Sequence, residues 1–190
     1  LRRKDMVTMD TGTGGVVVVG SHTKKTTAQL EALLKLPCVV PIEFHCDVVL
    51  EGDEAFYAEV DRCVAQEEDV IRSGKVAVCY TNRKLLTVEN DTPESALMRS
   101  VKISDGVQSL VGRLKVTPAF IIAKGGITSS TVGTEALGVK KANVLGQICP
   151  GIPVWQTDAG SRFPGIPYVI FPGNVGGEET LRQAVEILVE

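Results

Sequence analysis

Long apolar runs are missing from these 190 residues. Hydrophobic residues make up 44% of the chain but come in short stretches such as 16–19, far below the ~20 consecutive apolar residues of a membrane-spanning helix. Positive charge is scarce too. The formal net charge is −3 and the one basic cluster is Arg2-Arg3-Lys4, which excludes the broad cationic face of a nucleic-acid-binding domain. No Cys-x-x-Cys occurs among Cys38, Cys46, Cys63, Cys79 and Cys149, so neither a zinc knuckle nor a dithiol redox motif is expected, and the thiols read as reduced residues of a cytoplasmic protein. No repeat with a period of about 20–50 residues is visible, which excludes a solenoid or propeller.

What is present alternates. Short β-branched stretches at 16–19, 38–42, 75–80, 118–123, 143–148, 153–156 and 167–171 predict strands. Between them, apolar positions at helical spacing predict helices over 26–36, 53–73, 92–114, 132–137 and 178–190, the third opening on Thr92-Pro93 as cap and first helical residue. Pro41 puts the second strand at an edge or its end there, and Asp105-Gly106 suggests a bend in the third helix. The pattern predicts an α/β layered sandwich with a mostly parallel, possibly mixed sheet flanked by helices. Residues 1–14 are polar and glycine-rich and read as a linker or lead-in, with 15–190 as one domain.

Three turns stand out. Gly20-Ser21 follows the first strand, Lys124-Gly125-Gly126-Ile127-Thr128-Ser129-Ser130 follows the fourth, and Gly173-Asn174-Val175-Gly176 follows the last. In open α/β sheets ligands bind beyond the carboxyl ends of the strands, so parallel strands would bring all three turns to one edge. Glycines there let a phosphate approach the backbone, and the partnerless N–H groups of a starting helix hold it. Thr128, Ser129 and Ser130 would then donate to the anion or cap a helix beginning after them.

Known fingerprints are not met. Gly12-x-Gly14 precedes its strand and finds Val17 in place of a third glycine, so the dinucleotide motif fails. Gly15-Val-Val-Val-Val-Gly20 has P-loop spacing, but its middle is strand and Ser21-His22 replaces the lysine. Candidate catalysts are few: Lys124 reads as a solvated lysine at a strand end, His22 beside Ser21 as a weak general base, and Cys149 as a structural thiol. Glu43, His45 and Asp47 lack the spacing of a metal-ligand set, and no metal site is expected.

Val19-Gly20-Ser21, Thr26-Thr27-Ala28-Gln29-Leu30, Lys124 to Ser130, Gly151-Ile152-Pro153-Val154-Trp155 and Phe171-Pro172-Gly173-Asn174-Val175-Gly176 together resemble the nucleotide-binding C-terminal domain of the four-carbon acid sugar kinases. The resemblance implies phosphoryl transfer from ATP, with Mg²⁺, to a terminal hydroxyl of a threonate-, erythronate- or oxo-tetronate-type sugar acid. It implies nucleotide contacts at Ser21, Gly125, Gly126, Ile127, Thr128 and Gly173, with Gly20, Lys124, Ser129, Asn174 and Gly176 as further phosphate contacts. Family members hold the sugar acid on an N-terminal domain that opens with an Asp-Asp motif. No Asp-Asp pair occurs in these residues, so the resemblance places the catalytic base and sugar contacts on such a domain, outside this chain. Thr131 stands where the family pattern suggests an acid that would face the metal. A non-catalytic module that senses a phosphate metabolite or mediates assembly is the alternative reading, and a homo-oligomer stays open.

Overall fold

The computed structural model describes residues 1–190. Seven strands form one sheet: β1 (Val16–Val19), β2 (Val39–Phe44), β3 (Val76–Thr81), β4 (Ile121–Lys124), β5 (Asn143–Cys149), β6 (Ile152–Gln156) and β7 (Pro167–Phe171). Their order is β2-β3-β1-β4-β7-β6-β5. The first five in that order are parallel, and the hairpin partners β6 and β5 add an antiparallel margin. The expected mixed α/β sandwich is the architecture found, with Pro41 on the edge strand β2, where a missing N–H costs no ladder bond.

Alternation along the strands sorts the core into two layers. Val17, Val19, Ile122, Val169 and Phe171 point to the face covered by α2 (Lys24–Leu33) and α6 (Thr180–Val189), against Leu30, Leu33, Leu181 and Val185. Val16, Val18, Cys79, Ile121 and Tyr168 point to the opposite face, covered by α3 (Asp53–Arg72) and α4 (Pro93–Gly112), against Phe56, Val60, Leu110 and Val111. Because both faces are covered, β1 reads as four consecutive valines, all buried.

Several expectations shift. Residues 1–14 are mostly exposed but anchored near their start: α1 (Arg3–Met6) buries Met6 completely, and Arg3 Nε donates to the Leu188 carbonyl at 3.0 Å. The helix expected over 26–36 starts earlier, since Thr23 caps it by accepting from the Thr26 N–H. No break interrupts α4 at Asp105-Gly106. Gly106 serves close approach instead, because a Cβ there would lie 2.4 Å from the Phe56 ring. The helix expected over 132–137 begins at Gly126, as α5 (Gly126–Thr131) running into a π-helical turn, Val132–Ala136.

One core group is out of keeping with its surroundings. Glu67 on α3 is fully buried, and neither carboxylate oxygen has a partner. Burial, with the neighbouring Cys63 thiol, pushes its pKa well above the ordinary 4.5, so the side chain is held neutral. A raised acid pKa stabilises the fold fully only below the unfolded value, and that stability is lost as pH rises. Folding stability should therefore fall above pH 4.5 by up to about 1.4 kcal/mol per unit from this group. Denaturant titrations of wild type and Glu67→Gln should converge near pH 4 and separate by pH 8, with the variant more stable. Parallel curves would show that Glu67 ionises in the native state without cost.

Candidate functional site

Register builds the site. Val19 stands beside Lys124, and Lys124 beside Phe171, so β1, β4 and β7 end level with one another and Gly20, Gly125 and Pro172 leave the sheet together. The cross-links continue past the strands: Gly20 N–H donates to the Lys124 carbonyl at 3.1 Å and Gly125 N–H to the Phe171 carbonyl at 2.9 Å. The three glycine turns lie side by side at the carboxyl edge.

Glycine is needed at two of these positions. Gly125 sits at φ 120°, where a side chain is strained, and its Cβ would also fall 3.3 Å from the Ser21 backbone N. Gly20 faces Thr128 so closely that a Cβ would come 2.1 Å from its Oγ1. Gly126 differs from both, because a Cβ there would meet nothing within 4 Å. The open space of the edge therefore lies over Gly126. The first turn of α5, Gly126, Ile127 and Thr128, offers N–H groups that have no partner within the helix.

Cations fix the turns from below and from the flanks. Lys124, expected in solvent, is fully buried. Its Nζ donates to the carbonyls of Pro172 at 2.8 Å and Gly173 at 3.1 Å, and it lies 4.3 Å from the centre of the Phe171 ring. Burial, with Lys25 nearby, lowers its pKa from 10.5 to about 8. Lys25 Nζ donates to the Asn174 carbonyl at 3.2 Å, and Arg83 donates to the Ser21 carbonyl at 2.7 Å and to the Thr27 hydroxyl. The edge thus carries local positive charge in a chain of net charge −3.

The hydroxyls divide. Ser21 Oγ joins Thr23 and Thr26 in a small network that reaches the Gly173 carbonyl. The hydroxyls of 128–130 do not cap a later helix, since they lie within α5. Ser129 Oγ donates back to the Gly126 carbonyl, and its own carbonyl accepts from Tyr168. Ser129 is thereby turned away from the opening. Asn174 and Gly176 are exposed. Their turn is tied down by Gln29, whose Nε2 donates to the carbonyls of Val175 and Gly177 at 3.1 and 2.9 Å.

His22 does not pair with Ser21. Its Nε2 lies 3.1 Å from the Asn82 carbonyl and 3.4 Å from Thr81 Oγ1, and partial burial followed by the charge of Arg83 lowers its pKa, leaving it neutral at pH 7. Cys149 and the four other cysteines are free thiols. No three His, Cys, Asp or Glu side chains gather in a metal-holding group, and Thr131 Oγ1 donates to the Ile127 carbonyl at 3.0 Å. A Mg²⁺ at this edge would be held by the ligand's own oxygens and by hydroxyls such as those of Ser21 and Thr128.

Beside the edge, between the 82–92 loop and α4, lies a cleft of about 330 Å³ with Gly20, His22, Ile127, Thr128 and Thr131 along one wall. A second hollow, about 410 Å³, lies beyond α5 against Trp155. Sequence reasoning missed the cleft, Arg83, Lys25 and Gln29. Gln29 left one signal: with Thr26 it is a polar pair one turn apart on the buried face of α2. Arg83 left none, standing between the strand predicted over 75–80 and the helix predicted over 92–114.

Residues 16–181 match the family described as the nucleotide-binding C-terminal domain. Among solved structures, a domain of unknown function from Bordetella bronchiseptica, crystallised with bound citrate as a domain-swapped dimer, is 20% identical over 94% of this chain and 42% of its own, with a TM-score of 0.69. A putative tRNA synthase from Salmonella typhimurium LT2 is also 20% identical, over 90% of this chain and 40% of its own, with a TM-score of 0.70. At that identity the likeness shows the fold alone. The chain spans about two fifths of the length of these structural relatives. No curated protein matches it. The matched span runs from the first residue of β1 into α6 and takes in all three glycine turns, and on that match the chain belongs to the family of nucleotide-binding C-terminal domains.

Proposed function

We propose that the level ends of β1, β4 and β7 bind the phosphates of ATP, with Mg²⁺, and that the chain is the nucleotide half of a kinase acting on the terminal hydroxyl of a four-carbon sugar acid. The observation that carries the reading is the open space over Gly126, bounded by the first-turn N–H groups of α5, the Ser21 turn and the Gly173 turn. A phosphate there meets backbone donors and the positive end of a helix, with Lys124, Lys25 and Arg83 behind them. Phosphoryl transfer needs little covalent help from a protein and depends on positioning and on neutralising charge. This edge supplies both. The acceptor and its base belong, on this reading, to a neighbouring domain, in keeping with structural relatives more than twice as long.

Two measurements check it. Isothermal titration with Mg-ATP should show binding that Gly126→Val weakens at least tenfold, about 1.4 kcal/mol. The thermal midpoint should stay near that of wild type, because the added side chain enters empty space. Equal affinity in the two proteins would move the phosphates off this turn. The second reads Lys124. Its ammonium is charged below pH of about 8 and loses its charge above. Nucleotide affinity should accordingly decline as pH rises from 7 towards 9, by up to about tenfold per unit. Lys124→Met should bind more weakly at pH 7 and show no such decline. A variant with the wild-type pH profile would remove Lys124 from the account.

A further inference from the structure

We propose that the cleft between the 82–92 loop and α4 receives the nucleoside of the bound nucleotide, so that an aromatic base and its ribose lie under α4 while the phosphates rest on the glycine turns. The proposal rests on the phosphate reading above and goes beyond it, since nothing in that reading says to which side of the turns the rest of the ligand extends.

Continuity is the first argument. Gly20 and Thr128 line the cleft and also belong to the turns over which the phosphates are placed, so one ligand can occupy both places without leaving the surface. The hollow beyond α5 meets only the far end of one turn, at Ser129 and Ser130. Its walls include Ser129, Ser130 and Gly133 but no residue of the Gly20 or Gly173 turns.

Chemistry is the second. About 330 Å³ falls in the range of small-molecule sites, and the lining combines an apolar body with a few directed polar groups. Leu86, Ile103 and Val107 form the body. A four-carbon sugar acid carries a polar group on every carbon and would leave those side chains without a partner. A phosphate chain would as well. A flat aromatic base fills such a wall, and the ribose and ring edges meet the hydroxyls of Ser100 and Ser104, one helical turn apart on α4. Arg99, paired with Asp91, lines the same cleft and presents a guanidinium plane of the kind that stacks on aromatic rings.

Exposure is the third. Leu85 and Ile127 border the cleft and are 64% and 76% exposed, unusual for large aliphatic side chains placed at one opening. A base seated between the loop and α5 would cover them.

Ser100 is exposed, so Ser100→Trp fills the cleft without disturbing the core. Titration of wild type, Ser100→Trp and Gly126→Val with Mg-ATP and with Mg-tripolyphosphate separates the two claims. Wild type is expected to bind ATP at least tenfold more tightly than tripolyphosphate. Ser100→Trp should lose that advantage while keeping tripolyphosphate affinity, and Gly126→Val should lose both ligands. Photolabelling with 8-azido-ATP gives a second readout that needs no variant, with the label expected within residues 82–107. Label on 129–142 or Trp155, or an ATP affinity untouched by Ser100→Trp, overturns the cleft and leaves the phosphate reading standing. Failure of Gly126→Val to weaken either ligand overturns the phosphate reading itself.

Discussion

Level strand ends are the constraint on which the rest depends. If β4 were displaced by one residue relative to β1 or β7, Lys124 would point to the opposite face of the sheet, because side chains alternate between faces. Its contact with the Pro172 and Gly173 carbonyls would be lost with it. Register is held by close packing at glycine. At Gly15 a Cβ would fall 2.2 Å from the Phe120 ring, and at Gly14 it would fall 1.8 Å from the Lys75 carbonyl oxygen. β1 thus enters the sheet between two neighbours with no room to shift, and it leaves at Gly20 against Thr128 under the same restriction. The glycines at its two ends fix where the strand stops, and that fixes where the turns meet.

A buried ammonium is a costly way to fasten a turn, since a desolvated charge must recover its hydration from protein groups. Lys124 recovers part of it from two carbonyls and the face of Phe171. Lys25 and Arg83 likewise donate to backbone carbonyls of the neighbouring turns. Three cations therefore act on the oxygen side of the peptide units at this edge. A cation bound to the oxygen of a peptide polarises it and makes its N–H a better donor, so on the proposed reading the same contacts that hold the turns would strengthen the N–H groups of His22, Gly173, Asn174 and Val175 toward an anion.

Much of this architecture can be read from the chain itself, for identifiable reasons. Four valines between glycines predict β1 because a strand covered on both faces has no polar side, and α3 follows from Phe56, Val60, Cys63, Val64 and Ile71 at helical spacing. The meeting of the first two glycine turns follows from alternation, because strands joined by helices run parallel; the third does not, since β7 is reached through the antiparallel β5–β6 hairpin with no helix between. What cannot be read is whatever depends on residues far apart in sequence. Lys124 looks like a solvated lysine until β7 arrives 48 positions later with two free carbonyls. The start of α5 is missed for a different reason. Thr128, Ser129 and Ser130 have the composition of a cap, yet Gly125 accepts the first helical bond from the Ser129 N–H, and the helix has begun before any hydroxyl is reached. The cleft is invisible in sequence because its walls come from five separate segments, and the two leucines of the 82–92 loop follow no helical or strand pattern.

The inventory of the edge also limits what it can do. N–H groups, hydroxyls, two ammoniums and a guanidinium all donate, and none removes a proton from an incoming hydroxyl. The imidazole of His22 lines the neighbouring cleft, and its Nε2 is directed at Asn82 and Thr81. A surface of this kind lowers the energy of a phosphoryl group that carries negative charge and leaves activation of the acceptor to groups it does not contain. On the proposed reading, transfer begins only when a second surface brings a hydroxyl and its base in line with the phosphate over Gly126. That division separates holding the nucleotide from committing it to reaction, and it keeps water from serving as acceptor while the second surface is away.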